Sequence, residues 1–426
     1  MTLIKPFRGM RPIPEKITEV ASPPWDVIST EEARERAKDN PYSFLHISRP
    51  EIDLEPSIYA YDRKVYAKGA ENLKRFIEQG IFIQDEKPYF YIYKLRMGTH
   101  VQIGLVAIAS VEEYVRSKIK EHEQTLPHKV SDRANHIDSL NAQTGLVFLT
   151  YHANKKINDL IQKGIKEKPV YDFIGDYQVQ HTFYIVDNET LIKKFEMAFL
   201  ELDALYIADG HHRTAASARV CEKRKAANKK HTGNEAYNYF LGAIFPDSQM
   251  QILEYNRVVK DLNGQSLKTF LERIAEKFEI THCKSNCKKQ EDKAYRPSKP
   301  HTFGMYLQSQ WYFLNAKKDI LSYTNPIEQL DISILQNNLL APILGIEDPR
   351  TDDRIDFIGG IRGTRELEKL VNEGQYTVAF SLYPPSMNQF MAVADSGEMM
   401  PPKSTWFEPK LRSGIVIHTL DETNGY

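Results

Sequence analysis

The chain has 426 residues, 41% of them hydrophobic and 27% charged, with a formal net charge of −1. That is an ordinary globular composition on a chain too long for one compact core, so two or three lobes are expected. The near-zero charge excludes an overall basic field for nucleic acid or an anionic membrane surface.

Five prolines within residues 1–30 make that stretch extended or turning. Ser29-Thr30-Glu31-Glu32 then reads as a capped helix start. Residues 65–79 carry Tyr66, Leu73 and Ile77 on one side of a predicted amphipathic helix. Residues 88–95 and 101–110 are strand-like, linked by the turn Met97-Gly98-Thr99, and predict a hairpin. Strands are expected at 145–151, 180–186, 205–208 and 239–245, and helices at 155–167, 190–202 and 213–230. Lys120 to Arg133, with Pro127 inside it, reads as a loop. Residues 284–300 are lysine-rich and aperiodic, the best candidate for a linker or mobile loop. Beyond it come a strand pair near 303–314, helices at 327–340 and 364–372, a strand at 376–383, a helix at 386–396 and a last strand at 414–418. Helices and strands interleave, so the fold class is α/β or α+β. The expected division is an N-terminal lobe over 1–85, a central core over 86–250 and a C-terminal α/β lobe over 251–426.

Three cysteines, Cys221, Cys283 and Cys287, are too few and odd for a disulfide scaffold. His282-Cys283 with Cys287 offers at most three zinc ligands and makes a poor metal motif. The first residues, MTLIKPFRGMRPIPEK, are too polar for a secretory leader. No apolar run approaches the roughly 18 residues of a membrane helix. A cytoplasmic protein is expected.

The most informative stretch runs from Leu205 to a helix that begins at His211-His212-Arg213-Thr214. A helix start offers unpaired N–H groups and the positive end of the dipole, which together favour an anion. Arg213 and a histidine add donors suited to phosphate oxygens. Asp209, at the strand end, could hold a metal ion or take a proton, and Gly210 permits a positive φ. Upstream, Glu123 in Lys120-Glu121-His122-Glu123-Gln124-Thr125 could accept a proton from an attacking hydroxyl. Near the N-terminus, Arg49 suits a carboxylate and Asp26 an ammonium group. Toward the C-terminus, Lys403, Ser404, Thr405, Lys410 and Arg412 flank Trp406 and Phe407, and Lys403 and Ser404 are the candidate contacts to phosphate or a carboxylate.

Glu-His-Glu-Gln-Thr followed by Ile-Ala-Asp-Gly-His-His-Arg-Thr resembles the motifs of free serine kinases of the ParB/sulfiredoxin-like fold, which carry His-Glu-x-Thr and Asp-Gly-x-His-Arg. The chain as a whole resembles the DUF1015 family, on Ala21-Ser22-Pro23-Pro24-Trp25-Asp26-Val27-Ile28, Pro41-Tyr42-Ser43-Phe44-Leu45-His46 and Met400-Pro401-Pro402-Lys403-Ser404-Thr405-Trp406-Phe407. The resemblance implies a ParB/sulfiredoxin-like catalytic core with N-terminal and C-terminal additions. Its implied activity is phosphoryl transfer to the hydroxyl of free L-serine, giving O-phosphoserine. By the same resemblance Glu123 is the general base and Asp209 a second acidic group. His212, Arg213 and Thr214 contact the donor phosphate, with Gly210 and the variable His211 in the same turn, and His122 and Thr125 join the substrate contacts. Glu123 and Asp209 stand 86 residues apart, so the insert near 151–200 is expected to fold as a side element. Mg²⁺ is the expected cofactor. With no G-x-x-x-x-G-K-[ST], the donor is open among ATP, ADP and pyrophosphate. The small molecules are the expected partners, with no nucleic acid and no membrane. A ParB-like regulator of DNA and a small-molecule phosphatase are the alternatives. A sulfiredoxin-like reductase lacks its cysteine, because His211 stands in that place.

Overall fold

A computed structural model describes residues 3–282, 295–321 and 324–421. They divide into two compact units, one made of residues up to 121, 125–250 and 409 onward, the other of 122–124 and 251–408.

The first unit is built on a nine-stranded mixed sheet. Its strands are β1 (Ile4–Lys5), β2 (Phe90–Met97), β3 (His100–Ser110), β4 (Ile119–Lys120), β5 (Val147–Tyr151), β6 (Tyr171–Ile174), β7 (Gln180–Val186), β8 (Leu205–Asp209) and β9 (Tyr239–Pro246). Their order across the sheet is β4-β8-β5-β9-β3-β2-β7-β6, with β1 added antiparallel to β3. The pairs β4–β8 and β5–β9 are parallel and the remainder antiparallel. The predicted hairpin is β2–β3, turning at Gly98 with φ +60°.

The longer helices of the unit are α1 (Thr30–Ala37), α2 (Arg63–Glu78), α3 (Pro127–Leu140), α4 (Lys155–Gly164), α5 (Glu189–Leu200) and α6 (His211–Ala227). Ser29 and Glu32 form the predicted capping box of α1. One core joins Leu105, Leu149, Ile207 and Ile244 of the sheet to Ile157 of α4 and Phe195 and Phe199 of α5. A second, between α3 and α6, is made of Ala134, Ile137, Ala216 and Val220, and Asp138 of α3 is paired with Arg224 of α6 at 2.9 Å.

Three expectations are corrected. The N-terminal 85 residues are no separate lobe, since β1 joins the sheet through β3 and Met10 bridges to Ile417. Residues 151–200 are no side element either: β7 pairs with β2 and carries β6, so the stretch forms one edge of the main sheet. Residues 127–133, read as loop, begin α3. Pro127 is its first helical residue, where a missing N–H costs nothing and a fixed φ favours the helix.

The second unit is a six-stranded sheet, antiparallel throughout. Its edge-to-edge order runs Phe278–His282, Gln310–Ala316, Thr302–Leu307, Val378–Ser381, Tyr255–Val259, Ile355–Gly359. Val258, Tyr306, Trp311 and Ala379 pack with Leu367 and Leu370 of helix Gly363–Asn372. The helix expected over 327–340 is an α-turn, Asp331–Leu335, running into a π-turn, Gln336–Leu340. The last strand is only His418–Thr419, and it pairs with Ala142–Gln143 in the first unit. Most of the 284–300 candidate linker, with Cys283 and Cys287, lies outside the described residues. No helix among the described residues is long and apolar enough to cross a membrane.

Candidate active site

Leu205 and Ile207 of β8 point into the core, and strict alternation would send Asp209 after them. A register shift between Ile207 and Asp209 breaks that alternation. Gly210 then turns the chain at φ +107° and serves as N-cap of α6, a 17-residue helix. The positive φ favours glycine, and a Cβ there would also press on Arg213, 3.1 Å from its Nε.

Asp209 is a quarter exposed and both its oxygens are taken. Oδ2 accepts from Lys410 Nζ at 2.8 Å and Oδ1 from Arg213 Nη2 at 3.3 Å. Burial alone would raise this carboxyl, but Lys410 and Arg213 more than offset it and hold it well below the usual carboxylate range. His211 is buried; desolvation, helped by His212 and Arg213, pushes its imidazole down to about 3, so the ring is neutral. The Leu126 N–H donates to His212 Nε2 at 3.0 Å. A backbone N–H can only donate, so Nε2 must accept and the ring proton sits on Nδ1. Arg213 Nη1 donates to the Leu146 carbonyl.

Thr214 does not have the role expected for it. It is fully buried, and its hydroxyl donates to the Gly210 carbonyl at 3.2 Å, closing the first turn of α6 instead of facing a ligand. Arg49 is likewise corrected. Its guanidinium donates to the carbonyls of Trp25 and Ile28, to Thr30 Oγ1 and to Glu51, which makes it a clamp on the N-terminal turns with no fork left for a substrate carboxylate. Asp26, beside it, is exposed.

The first unit therefore brings together Asp209, Gly210, His211, His212, Arg213 and Lys410; Thr125, half-buried, also belongs to it. His122, Glu123, Lys403 and Ser404 belong to the second unit. There the His122 carbonyl accepts from the Met400 N–H at 2.7 Å, and its ring meets Phe390 edge-on at 4.6 Å. Ser404 is buried and donates to the Pro401 carbonyl at 2.5 Å, so its hydroxyl serves its own turn. Lys403 is exposed with φ +55°. Strand Trp406–Glu408 pairs with Gln251–Leu253 and buries Phe407. Lys410 was in view in the sequence as one basic residue of a proline-framed run. Its partnership with Asp209, across 201 residues, has no sequence signal.

The chain is thus a mixed α/β protein in which a carboxylate is fixed between two cations at the start of a long helix. The chain belongs to the family described as "Protein of unknown function (DUF1015)", which matches residues 4–333. No curated protein matches it. Among solved structures it is similar to a free serine kinase in complex with AMP, at 13% identity and TM-score 0.34, covering 71% of this chain and 86% of that one. It is also similar to SbnI with a C-terminal truncation from Staphylococcus aureus, at 13% identity and TM-score 0.36, covering 72% and 84%. A conserved hypothetical protein from Pyrococcus furiosus matches at 13% identity and TM-score 0.32, covering 71% and 90%. Similarity at this level carries no functional conclusion.

Proposed function

We propose that this protein is a small-molecule kinase that phosphorylates the hydroxyl of free L-serine, with ATP, ADP or pyrophosphate as donor and O-phosphoserine as product. The observation that supports it most is the Asp209–Arg213 turn, where Lys410 and Arg213 stand on one carboxylate at the start of α6. The positive end of the α6 dipole and these two cations suit the terminal phosphoryl group of a donor. The serine oxygen would attack the terminal phosphorus as the bond to the bridging oxygen breaks, and ADP, AMP or phosphate would leave according to the donor.

The attacking hydroxyl must lose a proton. Asp209 is a poor acceptor because Lys410 and Arg213 hold it ionised, which leaves Glu123 for the role of general base. Both flanks of its loop are tied within the first unit, where Ile119 and Lys120 pair with Leu205 and Tyr206, and the Leu126 N–H rests on His212. Mg²⁺ does not fit Asp209 as a resident ligand, since each oxygen already receives a cation. We propose that Mg²⁺ arrives on the donor phosphates, and no step is routed through it.

The test is to incubate the folded protein with Mg²⁺, L-serine and each donor in turn and to detect O-phosphoserine by mass spectrometry. Product is expected with at least one donor, and Glu123→Ala is expected to lower its rate by ~10²- to 10⁴-fold. No product from any donor would sink the reading.

A further inference from the structure

The first unit contains a cavity beside the Asp209–Arg213 turn, with walls that include Trp25, Ser48, Arg133, Thr144, Arg213 and Ser217. Two of its polar atoms are buried and unsatisfied. Ser48 is 4% exposed and its Oγ has no hydrogen-bond partner; the Trp25 Nε1–H is buried and has none either. Buried donors are nearly always paired, so two together at one cavity call for an occupant that accepts hydrogen bonds.

The cations on the walls define that occupant further. The Arg133 guanidinium lies 4.1 Å above the Trp25 ring, and its Nε and Nη2 are held by Asp132 Oδ2 at 2.7 Å. Asp132 is itself fixed by the Tyr66 hydroxyl at 2.9 Å. Arg133 and Asp132 balance each other, but Asp209 is shared between Arg213 and Lys410, so one positive charge is left over beside the cavity before anything binds. A single negative charge can be accommodated by the N–H groups these arginines keep free, whereas a phosphate would bring about two. The space left for the centres of water-sized groups is about 30 Å³, roughly two waters' worth. That suits the two oxygens of a carboxylate and excludes a nucleotide base.

We infer that this cavity is the carboxylate pocket for the phosphoryl acceptor, with Ser48 Oγ–H, Trp25 Nε1–H and Arg133 as its donors. Arg213 borders both the cavity and the turn at the start of α6, so the molecule must be short: a small hydroxy acid or hydroxy amino acid whose hydroxyl is a few bonds from its carboxylate. Calling that molecule L-serine rests on the proposed function; assigning the pocket to a carboxylate does not.

The test uses the full chain with ¹⁵N-labelled tryptophan. Its three indoles belong to Trp25, Trp311 and Trp406, and Trp25→Phe assigns the first. L-Serine should move the Trp25 indole N–H resonance, while ethanolamine, which has the hydroxyl and ammonium but no carboxylate, should not. Ser48→Ala should weaken L-serine binding about tenfold. A Trp25 resonance unmoved by saturating L-serine, while O-phosphoserine still forms, overturns the pocket and leaves the kinase standing. A resonance moved by inorganic phosphate and not by L-serine overturns the carboxylate assignment. A resonance moved by L-serine with no product from any donor upholds the pocket and removes the kinase.

Discussion

The two units bury polar groups in opposite ways. The first keeps imidazoles neutral inside it. His136 Nε2–H donates to the Ile47 carbonyl at 2.8 Å, His181 Nδ1 is hydrogen-bonded to the Tyr93 hydroxyl at 2.7 Å, and His418 Nε2–H donates to the Ala236 carbonyl at 3.1 Å. Desolvation pushes these down to about 3, 3 and 4, and His211 at the site follows at about 3. The second unit instead buries Arg257 against the carbonyls of Tyr255, Pro402 and Lys403, and burial lowers its guanidinium to about 9. It also buries Asp331, which accepts from the His301 N–H, and burial raises that carboxyl to about 7. The difference teaches how each unit tolerates buried polarity: the first holds its buried imidazoles uncharged, while the second places Arg257 on a strand and Asp331 against a backbone N–H beside its antiparallel sheet.

The largest effect that could break this contrast is on turnover. Lys410→Met should lower the rate of phosphoryl transfer by ~10²-fold, the scale for losing one preorganised charge stabiliser. Lys403→Met, in the second unit, should leave the rate within about twofold. Equal losses in a steady-state comparison would show that both basic residues serve the chemistry. Next in size, Gly210→Ala should destabilise the first unit by about 1–3 kcal/mol, because alanine is strained at φ +107° and its Cβ meets Arg213. Urea unfolding measures it, and an unchanged midpoint would refute the constraint.

The pH responses should run in opposite directions. The buried imidazoles of the first unit lie below their ordinary value of 6.5, so the unfolded chain binds more protons between about 3 and 6.5. Stability of that unit then falls as pH drops through the window. Asp331 lies above its ordinary 3.8, so the folded second unit keeps a proton that the unfolded chain releases, and stability falls as pH rises from about 4 to 7. Hydrogen exchange at pH 5 and 7.5, corrected for intrinsic rates, should show opening equilibria moving at least about tenfold in opposite senses. Parallel changes would contradict the assignment. The smallest effect is Thr214→Val, expected to cost about 1 kcal/mol of stability and to leave turnover almost unchanged, since the hydroxyl is spent on Gly210. A large loss of rate would return Thr214 to the phosphate.

Local pattern and site were not equally legible in the sequence. Strand β7 falls on residues 180–186 as the run of aromatic and β-branched residues places it, and the Asp-Gly turn was evident because a strand runs straight into a helix beginning His-His-Arg-Thr. Pro127 misled because proline both breaks helices and begins them, and only the packing of α3 on α6 decides between the two. The stretch 151–200 misled because nothing local announces that β7 pairs with β2. Lys410 on Asp209 and the two unsatisfied donors at Ser48 and Trp25 are facts of tertiary packing, written nowhere in spacing.

The most direct test of the central claim, that the turn at the start of α6 receives a phosphoryl group for transfer to serine, is ³¹P NMR of the wild-type protein and Lys410→Met with L-serine and each donor. The account predicts a phosphomonoester resonance growing at the expense of one donor with the wild type and nearly absent with the variant. Inorganic phosphate alone from ATP or ADP, or a phosphomonoester formed equally by both proteins, would contradict it.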